Sequence, residues 1–334
     1  MAGINTTKKE VNQTAEKHLE EKLSFEKKLM KDLHTFFEQL ADDYEVIYAG
    51  TGKVLTLTES YEEELSSLLK KNYRNIAGEF SSLTRKALDE EIDFDLYEII
   101  PEEESKLKEA IALAVGAYIL LRAKDITPKI ASTAQDVLKN KTDAYIIDQA
   151  RKGNAVTQAQ IASNVAKEIK TWSKNHAPVI AITEVQTLAE KSKIIENTQV
   201  KASVEAEKER LLAGGVVQKD KKKPIPPEQL TKEQIKEQRE ILEIANSVDI
   251  QKGSRKVWIT SGDEKVRPSH SFLDGRSVEQ NELFTTGNGS RMMYAGDMEN
   301  GASLDDVINC RCIVVYKYNT EIVKLYRNSM YRRK

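Results

Sequence analysis

One imidazole and two thiols towards the C-terminal end of the chain, His270, Cys310 and Cys312, are the side chains best suited to chemistry. Cys310 and Cys312 are separated by a single residue, so an extended backbone projects both thiols to the same side, and His270 is the only histidine after residue 253 that can join them. With Asp263 or Asp274 as a fourth ligand, this set has the donors of a tetrahedral zinc site, which would hold the thiols deprotonated and stabilise a small module. The spacing differs from the usual two-residue gap of zinc knuckles, and one cysteine pair is a weaker signature than two. A second arrangement uses the same residues without metal: both thiols pack as small hydrophobes, while His270 hydrogen-bonds to Asp263 or Asp274 and pins the loops. A third is catalytic, with a thiol nucleophile or with a metal-dependent nuclease or hydrolase centre at His270, Asp263 and Asp274. No glycine-rich phosphate loop, second imidazole or pair of carboxylates at helical spacing accompanies these residues, and the module is read as non-enzymatic.

The local pattern predicts the elements that position this set. After Gly253 the apolar period changes from helical to alternating, which predicts a strand over Lys256–Thr260 and another over Cys312–Tyr316. Turn residues fill the interval at Ser261-Gly262, Asp274-Gly275, Gly287-Asn288-Gly289 and Glu299-Asn300-Gly301. Pro268 suits the first turn of a short helix carrying Ser269, His270, Phe272 and Leu273, and Ser303 with Asp306 reads as the cap of another ending at Asn309. The expectation is a small α+β unit with a few antiparallel strands.

The ordered set Trp258, Asp263, Arg267, His270, Asp274-Gly275, Gly296-Asp297, Gly301-Ala302 and Asn309-Cys310-Arg311-Cys312 resembles the C-terminal domain of the phage Mu F-like minor head proteins, also called phage head morphogenesis proteins. The resemblance covers about residues 175 to 316. Where that family usually carries an Arg-Thr-Glu turn, this chain has Ile182, Thr183 and Glu184, so the arginine is missing and Glu184 is expected to be a solvated or internally paired carboxylate early in a helix. The resemblance implies a low-copy procapsid component bound to the portal protein, in contact with capsid or scaffold proteins, retained inside the virion head after assembly in the host cytoplasm, and a candidate for delivery with the DNA.

The rest of the chain reads as long helices. Leu19, Leu23, Met30, Leu33, Phe37 and Leu40 recur at three- and four-residue spacing and predict one amphipathic helix, ended by Gly50 and Gly52. Helical pattern resumes at Glu59, and Pro101 with the following glutamates opens the helix that contains the apolar segment 110–121. That segment is too short to span a bilayer as a helix and is expected to lie in the core. Asp125 to Pro128 is expected to start a new helix, Thr157 and Gln160 form a capping box for another, and Pro178 is expected to break it. Residues 214–228, with Gly214-Gly215, a lysine run and Pro224, Pro226 and Pro227, read as a linker, followed by a helix capped by Thr231 and Gln234.

These boundaries give a mainly α N-terminal region (1–125), a helical middle region (126–213), a linker with one helix (214–252), a small α+β C-terminal module (253–318) and a basic tail (319–334). The tail and the lysine run are expected to be solvated, with weak DNA contact through the tail as the other use of its charge and tyrosines. The chain of 334 residues has 51 basic and 53 acidic side chains, which excludes a strongly basic nucleic-acid binder. Its low aromatic content, 6%, and mean hydropathy of −0.53 suit long helices with modest cores. A disulfide between residues two apart is strained, so the thiols are expected to be reduced, and the polar start predicts no secretion signal or membrane anchor.

Overall fold

The computed structural model describes residues 8–90, 92, 93, 96–213, 232–250, 252 and 254–333. The expected 214–228 linker and the Thr231 cap lie outside them. The chain is mainly helical with a small α+β C-terminal region, as expected. Helix α1 covers Lys8–Thr51, α2 Glu59–Phe80, α3 Leu83–Asp89, and a short strand β1 Tyr97–Ile99 leads into α4, Pro101–Arg151. Helix α5, Gln158–Leu212, starts at a complete Thr157–Gln160 capping box, and α6 covers Lys232–Ser247.

Two helix breaks expected at proline do not occur. Pro128 lies inside α4 and Pro178 inside α5. In α4 the buried face runs Leu107, Ile111, Val115, Ile119, Ala123, Thr127, Ile130, Ala134, Leu138 without change of phase across the proline. In α5, Ile169, Ser173, Ala177, Ala181 and Leu188 do the same. A proline in a helix interior costs about 3 kcal/mol, and burial of one Leu, Ile or Val side chain recovers about 1.5–3 kcal/mol. Continuous packing on both flanks therefore outweighs the lost backbone bond.

The segment 110–121 is a core helix on one face only. Ile111, Val115 and Ile119 are buried, whereas Leu113 is 77% and Leu121 67% exposed. Among the described residues, no helix is long and apolar enough to cross a membrane.

The C-terminal module begins with β2, Ser254–Ile259, followed by the short helix α7, Pro268–Ser271, then β3 Ser277–Glu279, β4 Phe284–Thr285, β5 Arg291–Met292, α8 Leu304–Val307 and β6 Ile313–Tyr318. Strand β2 is central, antiparallel to β3 on one side and to β6 on the other, with Trp258 opposite Val314, and β4 pairs with β5. Trp258, Leu273, Phe284, Met292, Tyr294, Val307, Cys310, Cys312 and Val314 form the module's own core. Ser303 does not cap α8 through its side chain; its hydroxyl turns to the Asp306 carboxylate instead, at 3.3 Å.

Residues 319–331 are not a solvated tail. Helix α9, Thr320–Met330, is followed by β7, Tyr331–Arg333, which pairs antiparallel with β1. Ile322, Leu325, Tyr326 and Met330 join the core of the helical body, Lys324 pairs with Glu240 and Arg327 with Glu237. The amphipathic spacing of α9 explains this: its basic residues lie on one face and its apolar residues on the other. Asn319 caps it by accepting from the Ile322 N–H at 2.9 Å.

Candidate functional site

The short helix α7 and the turn between α8 and β6 bring the imidazole and both thiols into one buried cluster. Pro268 sets the first turn of α7, His270 points inward from it, and the Trp258 indole packs edge-on against the imidazole at 5.4 Å. Asn309 takes a left-handed conformation, with φ of 57°, and so turns the chain from α8 into the cysteine pair. Asparagine tolerates this conformation better than most residues. The sulfurs of Cys310 and Cys312 lie 3.6 and 3.5 Å from the same atom, His270 Nδ1. All three residues are almost fully buried, with His270 1% exposed.

A neutral imidazole nitrogen has a single lone pair and accepts one hydrogen bond. Two sulfurs at nearly equal distance from one nitrogen is an arrangement that a shared metal ion would also give, and these three donors lie within 4.8 Å of one another. The set is compatible with a structural metal. The cysteines influence one another strongly. The hydrogen bond from Cys312, against the opposing effect of burial, holds the Cys310 thiol well below the ordinary range, and the Cys312 thiol is pushed up beside it. The thiols are free, as expected.

The carboxylate beside the imidazole is Asp306, which the sequence reading treated only as part of a helix cap. Its Oδ1 lies 3.4 Å from His270 Nε2, on the edge of the ring opposite the sulfurs. Burial would raise the Asp306 pKa, but donors from Ser290, Asn288 and Ser269, with His270, hold it below the usual value. The Ser269 hydroxyl reaches Oδ1 at 2.9 Å. His270 Nε2 makes no hydrogen bond, so Asp306 stands beside the ring as a nearby negative charge rather than as a hydrogen-bond partner.

The two carboxylates expected to partner His270 have other work. Asp274 accepts from the N–H and hydroxyl of Thr260, both at 2.9 Å. Asp263 accepts from the Ser261 hydroxyl and the Lys265 N–H, and stands apart from the His270, Cys310 and Cys312 cluster. It lines a cleft of about 420 Å³ whose wall also includes His270, Cys312, Arg267, Lys265 and Arg311. The remaining motif residues shape loops. Arg267 donates to the Ile308 carbonyl, and Gly275 and Gly296 have positive φ. Buried Asp297 accepts from the Met293 and Glu299 N–H groups and from Asn300.

The module is fixed to the helical body by residues that sequence reasoning missed. From Glu184 to Glu190 every residue of α5 is buried, because the helical body covers one side and the module the other. Strand β6 is an edge strand, and side chains from helices satisfy its open edge. Gln186 donates to the Cys312 and Ala295 carbonyls at 2.9 and 2.6 Å, and Lys22 of α1 donates to both Gln186 and the Cys312 carbonyl. The Val314 N–H donates to Glu190 at 3.1 Å and its carbonyl accepts from Lys193 at 2.7 Å, while the Tyr318 hydroxyl donates to Asn197 at 2.6 Å. The polar series Gln186, Glu190, Lys193, Asn197, at spacings of four, three and four, was the available signal.

Glu184 is internally paired, but buried in mid-helix rather than near a helix start. It receives two hydrogen bonds from the Arg122 guanidinium of α4, at 2.9 and 2.6 Å, and one from the Tyr73 hydroxyl at 2.6 Å. The guanidinium that pairs with this carboxylate thus comes from a different helix, α4. No known protein family, curated protein or solved structure matches this chain.

Proposed function

We propose that this chain is a minor head protein of a tailed phage or prophage: a low-copy component that binds the portal protein in the procapsid, assembles in the host cytoplasm and remains inside the virion head. One observation carries this reading. The residues behind the resemblance to the Mu F-like proteins gather in one module and shape its core and turns, through Trp258, His270, Asp274, Gly275, Gly296, Asp297, Asn309, Cys310 and Cys312. Such a turn-pinned unit, docked along a long helix by buried polar contacts, suits a protein that must keep its shape during DNA packaging. The helical body would supply the contacts to portal, capsid or scaffold proteins.

The metal is read as one structural zinc. Zinc bonds of about 2.3 Å to sulfur and about 2.0–2.1 Å to nitrogen, at a tetrahedral angle, place the two donor atoms about 3.5 Å apart. The separations of 3.5 and 3.6 Å fit this, and thiolate with imidazole is the donor set zinc favours.

Co-expression with the portal protein of the same phage or prophage, followed by size-exclusion chromatography, tests the assignment. Co-elution at a fixed ratio is expected. Separate elution from an assembled portal ring, with both proteins folded, would overturn the portal assignment.

A further inference from the structure

A zinc ion bound by His270, Cys310 and Cys312 has three protein donors, and a tetrahedral site needs four. Each nearby carboxylate is committed elsewhere. Asp306 lies on the opposite edge of the imidazole, Asp274 holds Thr260, and Asp263 accepts from Ser261 and the Lys265 N–H. His270 and Cys312 nevertheless both form part of the wall of the 420 Å³ cleft, so the cleft abuts the buried cluster on that side.

The cleft wall is cationic. Lys265, Arg267 and Arg311 line it, with Asp263 the one acid among the lining residues. Arg267 donates to the Ile308 carbonyl and Arg311 stands 3.5 Å from Glu26, but a guanidinium has five N–H donors, so these contacts leave others for a ligand. Two thiolates and a neutral imidazole cancel the charge of a divalent ion. The choice of ligand is then made by the surrounding arginines and lysine, which favour an oxyanion with bidentate geometry.

We infer that the metal held by His270, Cys310 and Cys312 keeps an exchangeable fourth position open to this cleft, and that a phosphate-type oxyanion occupies it. The inference rests on the metal reading of the cluster and adds a ligand to it. A site closed by protein alone fills all four positions with protein atoms, whereas an open one exchanges its fourth ligand with solvent or solute.

The test uses the full chain with cobalt(II) in place of zinc, since the cobalt visible spectrum reports its ligands. Titration with inorganic phosphate is expected to change the d–d bands saturably while cobalt stays bound at one equivalent. Arg311→Gln and Lys265→Gln are expected to weaken phosphate binding at least several-fold with cobalt content unchanged. A short 5′-phosphorylated oligonucleotide, compared with its unphosphorylated form, distinguishes a nucleic-acid end from free phosphate as the source of the oxyanion. Stoichiometric cobalt with a spectrum indifferent to phosphate would overturn the open position and leave the metal reading standing. Failure to bind cobalt would overturn both. Equal phosphate affinity in the two variants would overturn the role of the cleft.

Discussion

The side-chain amide of Gln186 donates to the backbone carbonyl of Cys312 at 2.9 Å, so the residue whose thiol faces His270 is tied by its main chain to the middle of α5. The candidate metal cluster is therefore set by two parts of the protein together. The module supplies its side chains, and the helical body holds the strand that carries one of them.

Lys193 and Glu190 are buried together, 2.9 Å apart, and both bind Val314. Lys193→Met would leave Glu190 as an uncompensated buried charge and is expected to cost about 3–5 kcal/mol. The double change with Glu190→Gln should recover part of that loss. Urea unfolding of the two single variants and the double variant measures the coupling, and additive losses would contradict the pairing.

Gly296 has φ of 86°, and a Cβ there would lie 2.8 Å from Gln186 Cγ. Gly296→Ala is expected to destabilise the protein by about 1–3 kcal/mol, through left-handed strain and pressure on the helix contact. At the other left-handed turn, Asn309→Gly should be close to neutral and Asn309→Val should cost about 1–2 kcal/mol or more. Thermal melts of the three variants check the order. Equal stability of Asn309→Gly and Asn309→Val would contradict the backbone assignment.

Lys256 is fully buried, donating to the Met293 carbonyl at 2.7 Å, and burial lowers its pKa to about 7 against the opposing effect of Asp297 and Glu282. The unfolded chain keeps this proton up to about pH 10.5. Between these values unfolding takes up a proton, so this residue makes stability rise with pH and lose ground as pH falls towards 7, by up to about 1.4 kcal/mol per unit. Urea midpoints from pH 7 to 9.5 should rise in the parent protein and rise less in Lys256→Met. Parallel profiles would contradict the assignment.

The helices and the module's strands were legible in the sequence because their signals are local. Capping at Thr157 and Gln160, the stripe of α1 and the alternation around Trp258 each act within a few residues. The proline breaks failed because Ala123, Thr127 and Ile130 around Pro128, and Ala177 and Ala181 around Pro178, continue a buried stripe in phase, and tertiary packing overrode local preference. His270, Cys310 and Cys312 were legible because few residue types have their chemistry. Asp306 and Arg122 were not, since an aspartate in a cap pattern and an arginine on a long helix look solvated until the fold places them beside His270 and Glu184. The terminal segment was misread because its charge was visible in sequence while its apolar partner face on the body was not.

The most direct test of the account is the metal content of the purified full chain, measured by elemental analysis and native mass spectrometry beside Cys310→Ser. One zinc per chain, lost in the variant and on chelation together with a lower melting temperature, is the expected result. A metal-free protein whose melting temperature is indifferent to both zinc and chelator would contradict it.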